Sequence, residues 1–346
     1  MEKRLSIFRR IALAAACLAA LVVVLGAWVR LTDAGLGCPD WPGCYGHLHP
    51  SQAAGDLASQ QAFPGRQFDY AKALHEMAHR YFATSLGLCI VSLMLLALWN
   101  RRDPAQPLAS VLLLFLVVCL QGALGAFTVT LLLKPLIVTG HLLGGLTTLG
   151  ILVWLCWRPE RRESVDSDRR LWRFALVGLA VLTLQIALGG WTSTNYASVA
   201  CPDFPTCQGS YWPRMDFGNA FVLWRGLGID YEGGVLAAPA RVAIHFTHRI
   251  GALVAGIVLV MLALRAWLGG STRRVRSAGA ALLVAVLLQI TLGISTVMMG
   301  VPLAVATAHN AGAALLVITL VCLLRALRPE APVRLSGAPG LQPGLV

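Results

Sequence analysis

The chain has 346 residues, of which 57% are hydrophobic and only 13% charged, and its mean hydropathy is +0.70. That balance excludes a soluble globular domain and belongs to a membrane protein. The net charge of +12 is carried mainly by arginines flanking apolar runs, so it reads as topology and headgroup contact, and nucleic-acid binding is not expected.

A helix crossing a bilayer needs about 20 mainly apolar residues. Eight such runs follow one another, at 11–29, 75–98, 107–130, 135–157, 171–194, 241–267, 277–299 and 303–324. The first leads into VRLTDAGLGC rather than a small-residue cleavage pattern, so it reads as a span and not a removable signal. Lys3, Arg4, Arg9 and Arg10, then Arg101 and Arg102, then Arg158, Arg161, Arg162, Arg169 and Arg170, then Arg273, Arg274 and Arg276, then Arg325 and Arg328 all fall on one side of an eight-span chain. The positive-inside rule makes that side, with both termini, cytoplasmic. The long polar loops at 30–74 and 195–240 then lie outside. Tight outer turns near Lys134 and Gly300 make the third and fourth spans, and the seventh and eighth, antiparallel neighbours. Residues 331–346, rich in Pro and Gly, read as a disordered tail.

The chain is written twice. LGAWVRLTDAGLGCPDWPGC, from Leu25 to Cys44, aligns with LGGWTSTNYASVACPDFPTC, from Leu188 to Cys207; LQGALGAFTV from Leu120 aligns with LQITLGISTV from Leu288; His79-Arg80 aligns with His248-Arg249. The expected fold is an all-α polytopic membrane protein of two tandem four-helix bundles, 1–160 and 161–330. Because four is even, both halves enter the membrane the same way, related by a pseudo-two-fold axis along the membrane normal.

Within the repeat, His79, His141, His248 and His309 each fall about 10 Å or less from the outer boundary, at 1.5 Å per helical residue, and form one layer. Two neutral imidazoles facing each other from neighbouring apolar helices suit bis-His ligation of a haem iron. Small neighbours, Gly140, Gly144 and Gly145 around His141 and Ala308, Ala311 and Gly312 around His309, leave room for a macrocycle. The plainer account, small residues for helix packing and each histidine a satisfied polar group, fits one histidine better than four at repeat-equivalent positions. A di-iron site needs glutamates from further helices, and Glu76 is the only carboxylate inside a span. Zinc on His245 and His248 lacks further ligands.

Cys17, Cys89, Cys119, Cys156 and Cys322 lie in spans and read as small core residues. Cys38 with Cys44, and Cys201 with Cys207, form two CPDxPxC loops on the oxidising face, where an intraloop disulfide is geometrically plausible. Each pair reads as a structural staple or a redox element, with zinc binding a minor reading. Arg30, Arg80, Arg241 and Arg249 recur near the outer boundary, suited either to haem propionates or to snorkelling towards headgroups.

One difference between the halves is informative: Glu76 sits three residues before His79, where the second half has His245 before His248. A step that builds positive charge or loses a proton beside the ligand is helped by an anion or base; a haem that only passes electrons needs none. The first half is therefore expected to do chemistry and the second to carry a redox haem.

Eight spans, tandem halves, Glu-x-x-His-Arg opening the second span, His-x-x-His-Arg opening the sixth, single histidines in the fourth and eighth, and outer CPDWPGC-type loops together resemble the haem A synthase (COX15/CtaA) family over about residues 8 to 327. The resemblance implies oxidation of the C8 methyl of haem O to a formyl group, giving haem A for cytochrome oxidase. It implies a b-type haem on His248 and His309, the substrate haem on His79 and His141, and Glu76 as the catalytic acid; the first-loop cysteine pair occurs in only some members. Expected partners are haem O, a haem O synthase, an oxidase assembly pathway, an unidentified electron donor, the lipid bilayer and a second copy of the chain, in a bacterial-type inner membrane. Rival readings are a b-type cytochrome that only transfers electrons and a haem transporter or chaperone. A prenyltransferase would want several carboxylates for diphosphate and Mg²⁺, and the spans offer one.

Overall fold

The computed structural model describes residues 2–103, 105–157 and 166–328. The expected tail at 331–346, and the boundary between the halves near 160, lie outside the described residues. Eleven helices follow in order: α1 (Glu2–Leu31), α2 (Pro50–Ala54), α3 (Leu57–Gln61), α4 (Tyr70–Trp99), α5 (Leu108–Thr130), α6 (Pro135–Cys156), α7 (Asp166–Thr194), α8 (Phe217–Ala220), α9 (Ala238–Gly269), α10 (Arg273–Met298) and α11 (Leu303–Leu327). Eight of them, all but α2, α3 and α8, are long and apolar enough to cross a membrane. Among the described residues there is no strand, only two isolated bridges, Cys44 with His47 and Cys207 with Ser210.

Several spanning helices outrun their apolar runs because polar residues end them. Asp69 caps α4 by accepting from the backbone N–H groups of Ala71 and Lys72, and Thr272 caps α10 through Val275 N–H. Pro135 and Pro239 open α6 and α9, where a missing N–H costs nothing.

The packing closes two rings of four. Helix α1 packs on α4, α4 on α5, α5 on α6, and α6 back on α1; α7, α9, α10 and α11 close in the same way. Among the described residues no Cα atoms approach within 8 Å across either diagonal, α1 to α5 and α4 to α6 in the first ring or α7 to α10 and α9 to α11 in the second, so each ring is open at its centre. The rings meet where α11 lies against α1 and α6, and α6 against α7. Helices in lipid associate by close packing of small residues, as with Ala12, Ala15, Ala16 and Ala19 along α1, all buried. The continuous apolar core, from Phe8 and Leu93 to Leu259, Leu282 and Leu320, fills the end of the molecule away from the long loops and reaches Leu142 and Leu143 beside His141.

The long loops interlock at the other end. Arg66 pairs with Asp230 at 2.6 Å and Glu232 at 2.5 Å. Buried Tyr231 packs with Leu36, Val129 and Leu133 and donates its N–H to the Leu132 carbonyl at 3.1 Å. Lys134 bonds the Gly226 carbonyl and lies 3.7 Å from the Trp224 ring centroid. The loop before α9 thus lies over the α5–α6 turn of the first ring.

At Gly279 of α10 a Cβ would come within 2.5 Å of Trp267 N and 2.8 Å of the Ala266 carbonyl carbon, both backbone of α9. Gly279→Ala is expected to force the helices apart and cost about 1–3 kcal/mol, read as a lower thermal midpoint in detergent; an unchanged midpoint would mean the contact is not tight.

Candidate functional site

The disulfides Cys38–Cys44 and Cys201–Cys207 form, each with its Cα atoms 4.6 Å apart. An aspartate inside each loop organises it. Asp40 accepts from Tyr45 N–H at 2.6 Å and Gly46 N–H at 2.9 Å; Asp203 accepts from Gln208 N–H at 2.6 Å and Gly209 N–H at 2.9 Å, and also from the Thr206 hydroxyl. These bonds hold the left-handed pairs Tyr45-Gly46 and Gln208-Gly209. An arginine one residue past the α4 or α9 histidine ties each loop down: Arg80 donates to the carbonyls of Asp40 at 3.0 Å and Gly43 at 2.5 Å, and Arg249 to those of Cys201 and Thr206, both at 2.8 Å.

In the first half this anchorage includes Glu76. Its carboxylate, 4% exposed, accepts from Cys38 N–H at 2.9 Å and from the Arg80 guanidinium at 2.5 Å. Gly37 makes the approach possible, since a Cβ there would lie 2.6 Å from the Lys72 carbonyl carbon and 2.8 Å from Ala73 N. A buried carboxylate is tolerated where its charge is paired and hydrogen-bonded, and both conditions are met. In α9 the same position holds His245, equally buried, with Nδ1 lacking a partner.

The four layered histidines sit on the diagonals that do not touch: His79 on α4 and His141 on α6, His248 on α9 and His309 on α11. The members of each pair are near enough to interact electrostatically. Each imidazole lies against a glycine of the preceding spanning helix. A Cβ would come within 3.0 Å of His79 Cε1 at Gly26, 3.4 Å of His141 Cε1 at Gly125, 3.1 Å of His248 Cε1 at Gly189 and 3.0 Å of His309 Cε1 at Gly293. Nδ1 of His79, His141 and His309 is buried with no hydrogen-bond partner. Paired imidazoles on helices separated by a gap, each set against a glycine and three of the four with Nδ1 uncommitted, fit a group offering iron on both faces of a flat ring. Among the described residues no three His, Cys, Asp or Glu side chains converge as a metal site.

Arg30 donates to the Ser193 carbonyl at 2.5 Å and to Asp33 at 3.2 Å, and lies 4.1 Å from the Tyr196 ring centroid, so it ties α1 to the end of α7. Arg241 Nε is buried without a partner. The histidine-backing glycines were not singled out from the sequence, although their signal is there: Leu25-Gly26, Leu124-Gly125, Leu188-Gly189 and Leu292-Gly293 repeat one dipeptide at one depth in α1, α5, α7 and α10.

The fold and these residues define an all-helical, multi-pass membrane protein with a pair of half-buried histidines in each of two helix rings. Residues 9–321 match the COX15-CtaA family, described as cytochrome oxidase assembly protein, and the chain belongs to that family. It is 43% identical over 305 residues to the "Heme A synthase" of Shewanella oneidensis, covering 87% of this chain and 91% of that one. To the protein of the same name from Caulobacter vibrioides it is 30% identical over 328 residues, covering 87% and 90%. To that from Rhizorhabdus wittichii it is 29% identical over 321 residues, covering 86% and 88%.

The Thr206 hydroxyl, followed by the Gly209 and Gln208 N–H groups, holds the Asp203 carboxyl below its usual pKa. A lowered pKa means the loop gains from the carboxylate at any pH above the ordinary value and loses that gain as pH falls through the lowered one. Protection of the Gln208 and Gly209 amides, relative to intrinsic exchange, is therefore expected to fall only in strongly acid solution, and to be weak at every pH in Asp203→Asn. Equal protection in that variant would show the carboxylate is not what orders the turn.

Proposed function

We propose that this chain is a haem A synthase that oxidises the C8 methyl of haem O to a formyl group. The observation that carries the reading is the asymmetry between rings that otherwise match: a buried, hydrogen-bonded Glu76 one helical turn before His79, and His245 in its place before His248. In this reading His79 and His141 hold the substrate haem, and His248 and His309 hold a resident b-type haem that passes electrons onward. Haem iron supplies the redox chemistry when bound. What the protein adds is position and charge.

With the substrate haem held by His79 and His141, Glu76 would be the charged group at hand where the methyl carbon loses electrons and protons. Fixed by Cys38 N–H and Arg80, its carboxylate stabilises developing positive charge or takes a proton without first reorganising. Its contacts also connect the Cys38–Cys44 loop to the reacting edge. Arg80 and Arg249 give guanidinium donors to loop carbonyls; Nε of both Arg241 and Arg249 is buried and unpartnered, and Arg241, which bonds no loop carbonyl, is the best candidate for a propionate.

The halves 1–160 and 161–330 act as tandem bundles about a pseudo-two-fold axis along the membrane normal, supported by the two closed rings and by interlocked loops at one end. Both termini face the cytoplasm and the loops face outward from an inner membrane, as the one-sided arginines suggest. Haem O comes from a haem O synthase, and haem A passes to cytochrome oxidase assembly.

Glu76→Gln, expressed with a haem O supply and purified in detergent, is expected to keep haem b and bind haem O while conversion, followed by chromatography and mass of extracted haems, falls at least about a hundredfold, the scale of a lost acid–base or electrostatic group. Full conversion would overturn the assignment; haem b alone, with haem O present and unaltered in the native chain, would indicate an electron-transfer cytochrome. Arg241→Ala is expected to weaken haem retention without lowering the thermal midpoint of the haem-free protein. A drop in that midpoint with retention unchanged would make Arg241 a structural residue instead.

A further inference from the structure

The glycines behind the histidines belong to a larger repeated device, and one copy of it is altered. Four residues before Gly125, Gly189 and Gly293 stand Gln121, Gln185 and Gln289; three residues after His141, His248 and His309 stand Gly144, Gly251 and Gly312. Each glutamine lies over the matching glycine. A Cβ at Gly144 would come within 2.7 Å of Gln121 Cδ, at Gly312 within 3.2 Å of Gln289 Cδ, and at Gly251 within 3.5 Å of Gln185 Cδ. The unit of repetition is therefore a helix pair, glutamine and glycine on the first helix and histidine and glycine on the second. In the α1–α4 pair the two outer positions are Val22 and Phe82.

The amides do not serve all four histidines equally. Gln185 Nε2 lies 3.0 Å from His248 Nδ1 and donates to the His248 carbonyl at 3.0 Å, while Gln289 Nε2 lies 3.5 Å from the other ring nitrogen, Nε2, of His309 and leaves its Nδ1 unpartnered. In the first ring, Gln121 Nε2 is buried without a partner and the Val22 side chain has no polar atom to give. His79, His141 and His309 have the backbone carbonyls of Val22, Gln121 and Gln289 beside their rings, short of full hydrogen-bond geometry, so His248 alone has its Nδ1 partnered.

We propose that Gln185 is a positioning residue that locks His248 of the second ring onto a resident haem, and that Val22 and Phe82, by removing this lock from His79, make the first-ring site exchangeable. The inference rests on the assignment of substrate to the first ring. A metal-bound imidazole needs its other nitrogen oriented by a partner, and losing that partner typically costs about 10–100-fold in affinity. A carboxamide suits the task because it offers nitrogen to a bare Nδ1 or oxygen to a protonated one, and Gln185 Oε1 is buried and uncommitted. A redox haem must stay through every turnover. A substrate haem must enter and its product must leave, so a weakly oriented ligand on that side favours release.

The test uses the full chain purified with its haems in detergent and transfer of haem to excess apomyoglobin. Gln185→Leu is expected to release haem b at least about tenfold faster, with an altered low-spin EPR signal. Gln185→Glu, whose carboxylate accepts the Nδ1 proton more strongly, should retain haem b and lower its midpoint potential, whereas Gln185→Leu raises it. A purely structural glutamine would not move the potential in opposite directions. Val22→Gln with Phe82→Gly is expected to slow exchange of the first-ring haem about tenfold. Unchanged haem b release and potential in the glutamine variants would overturn the lock. His79→Ala and His248→Ala separate the underlying assignment: if His248→Ala loses haem O and keeps haem b, the allocation of haems to the rings has failed, whatever the glutamines do.

Discussion

A carboxylate inside an apolar helix must be neutralised and hydrogen-bonded or it destabilises the helix that carries it, and the answer to that demand at Glu76 organises the outer end of the first half. Arg80, one turn further along α4, supplies the charge; the remaining acceptor capacity goes to Cys38 N–H. For that N–H to arrive, Gly37 must press against the α4 backbone at Lys72 and Ala73. For Arg80 to stay, its other donors must find carbonyls, and they find those of Asp40 and Gly43 in the disulfide loop. Charge, loop and disulfide therefore stand together: displacing any one leaves a buried polar group unpaired in the others. The second half keeps the same loop, held by Arg249 to Cys201 and Thr206, without the carboxylate. The anchorage is thus a property of the fold, and Glu76 is an addition to it.

The histidine layer answers a different constraint. A ring of four helices that touches only along its sides leaves a space at its centre, which must be filled by side chains or by a bound apolar group. Glycine on the flanking helix lets an imidazole lie close to the neighbouring backbone, so that its ring is fixed by packing before any ligand is considered. The apolar core at the opposite end of the bundle supplies the rigidity that keeps the histidine end from closing. Small residues at the helix contacts and a thinned core at the histidines are two uses of the same economy of side chain.

Much of this was legible in the sequence because it is local or periodic. Eight apolar runs announce eight helices, since length and hydropathy decide a span; the paired cysteines six residues apart announced loops in which the disulfides form. The parts that escaped depend on contacts between distant segments. Nothing near Arg66 says that its partners are Asp230 and Glu232, and nothing in the GGVLAAP stretch says that Tyr231 will pack on Leu36 and Leu133. Arg80 and Arg249 looked equally suited to propionates and to headgroups; backbone carbonyls of the adjacent loops took them, because a loop folded back on a helix end leaves acceptors that only a nearby guanidinium can satisfy. The glycines and glutamines were visible as letters, but their meaning required knowing which helix faces which.

Duplication explains why so much is shared and so little needs to differ. Two rings with the same anchorage, the same glycine-backed histidines and the same disulfide loops would bind two equivalent groups. An enzyme that changes one group while keeping another as a relay needs those sites to diverge in two respects only: a charge beside the reacting edge, and a difference in how firmly the ligands are held. Among the many differences between the repeats, two sets bear on those points, Glu76 against His245 for the first, and Val22 with Phe82 against Gln185 with Gly251 for the second. Both lie on the α1–α4 pair. A single helix pair that departs from its siblings in charge and in ligand restraint is what a duplicated binding protein would have to acquire to turn one of its two sites into a place where a molecule is altered and let go.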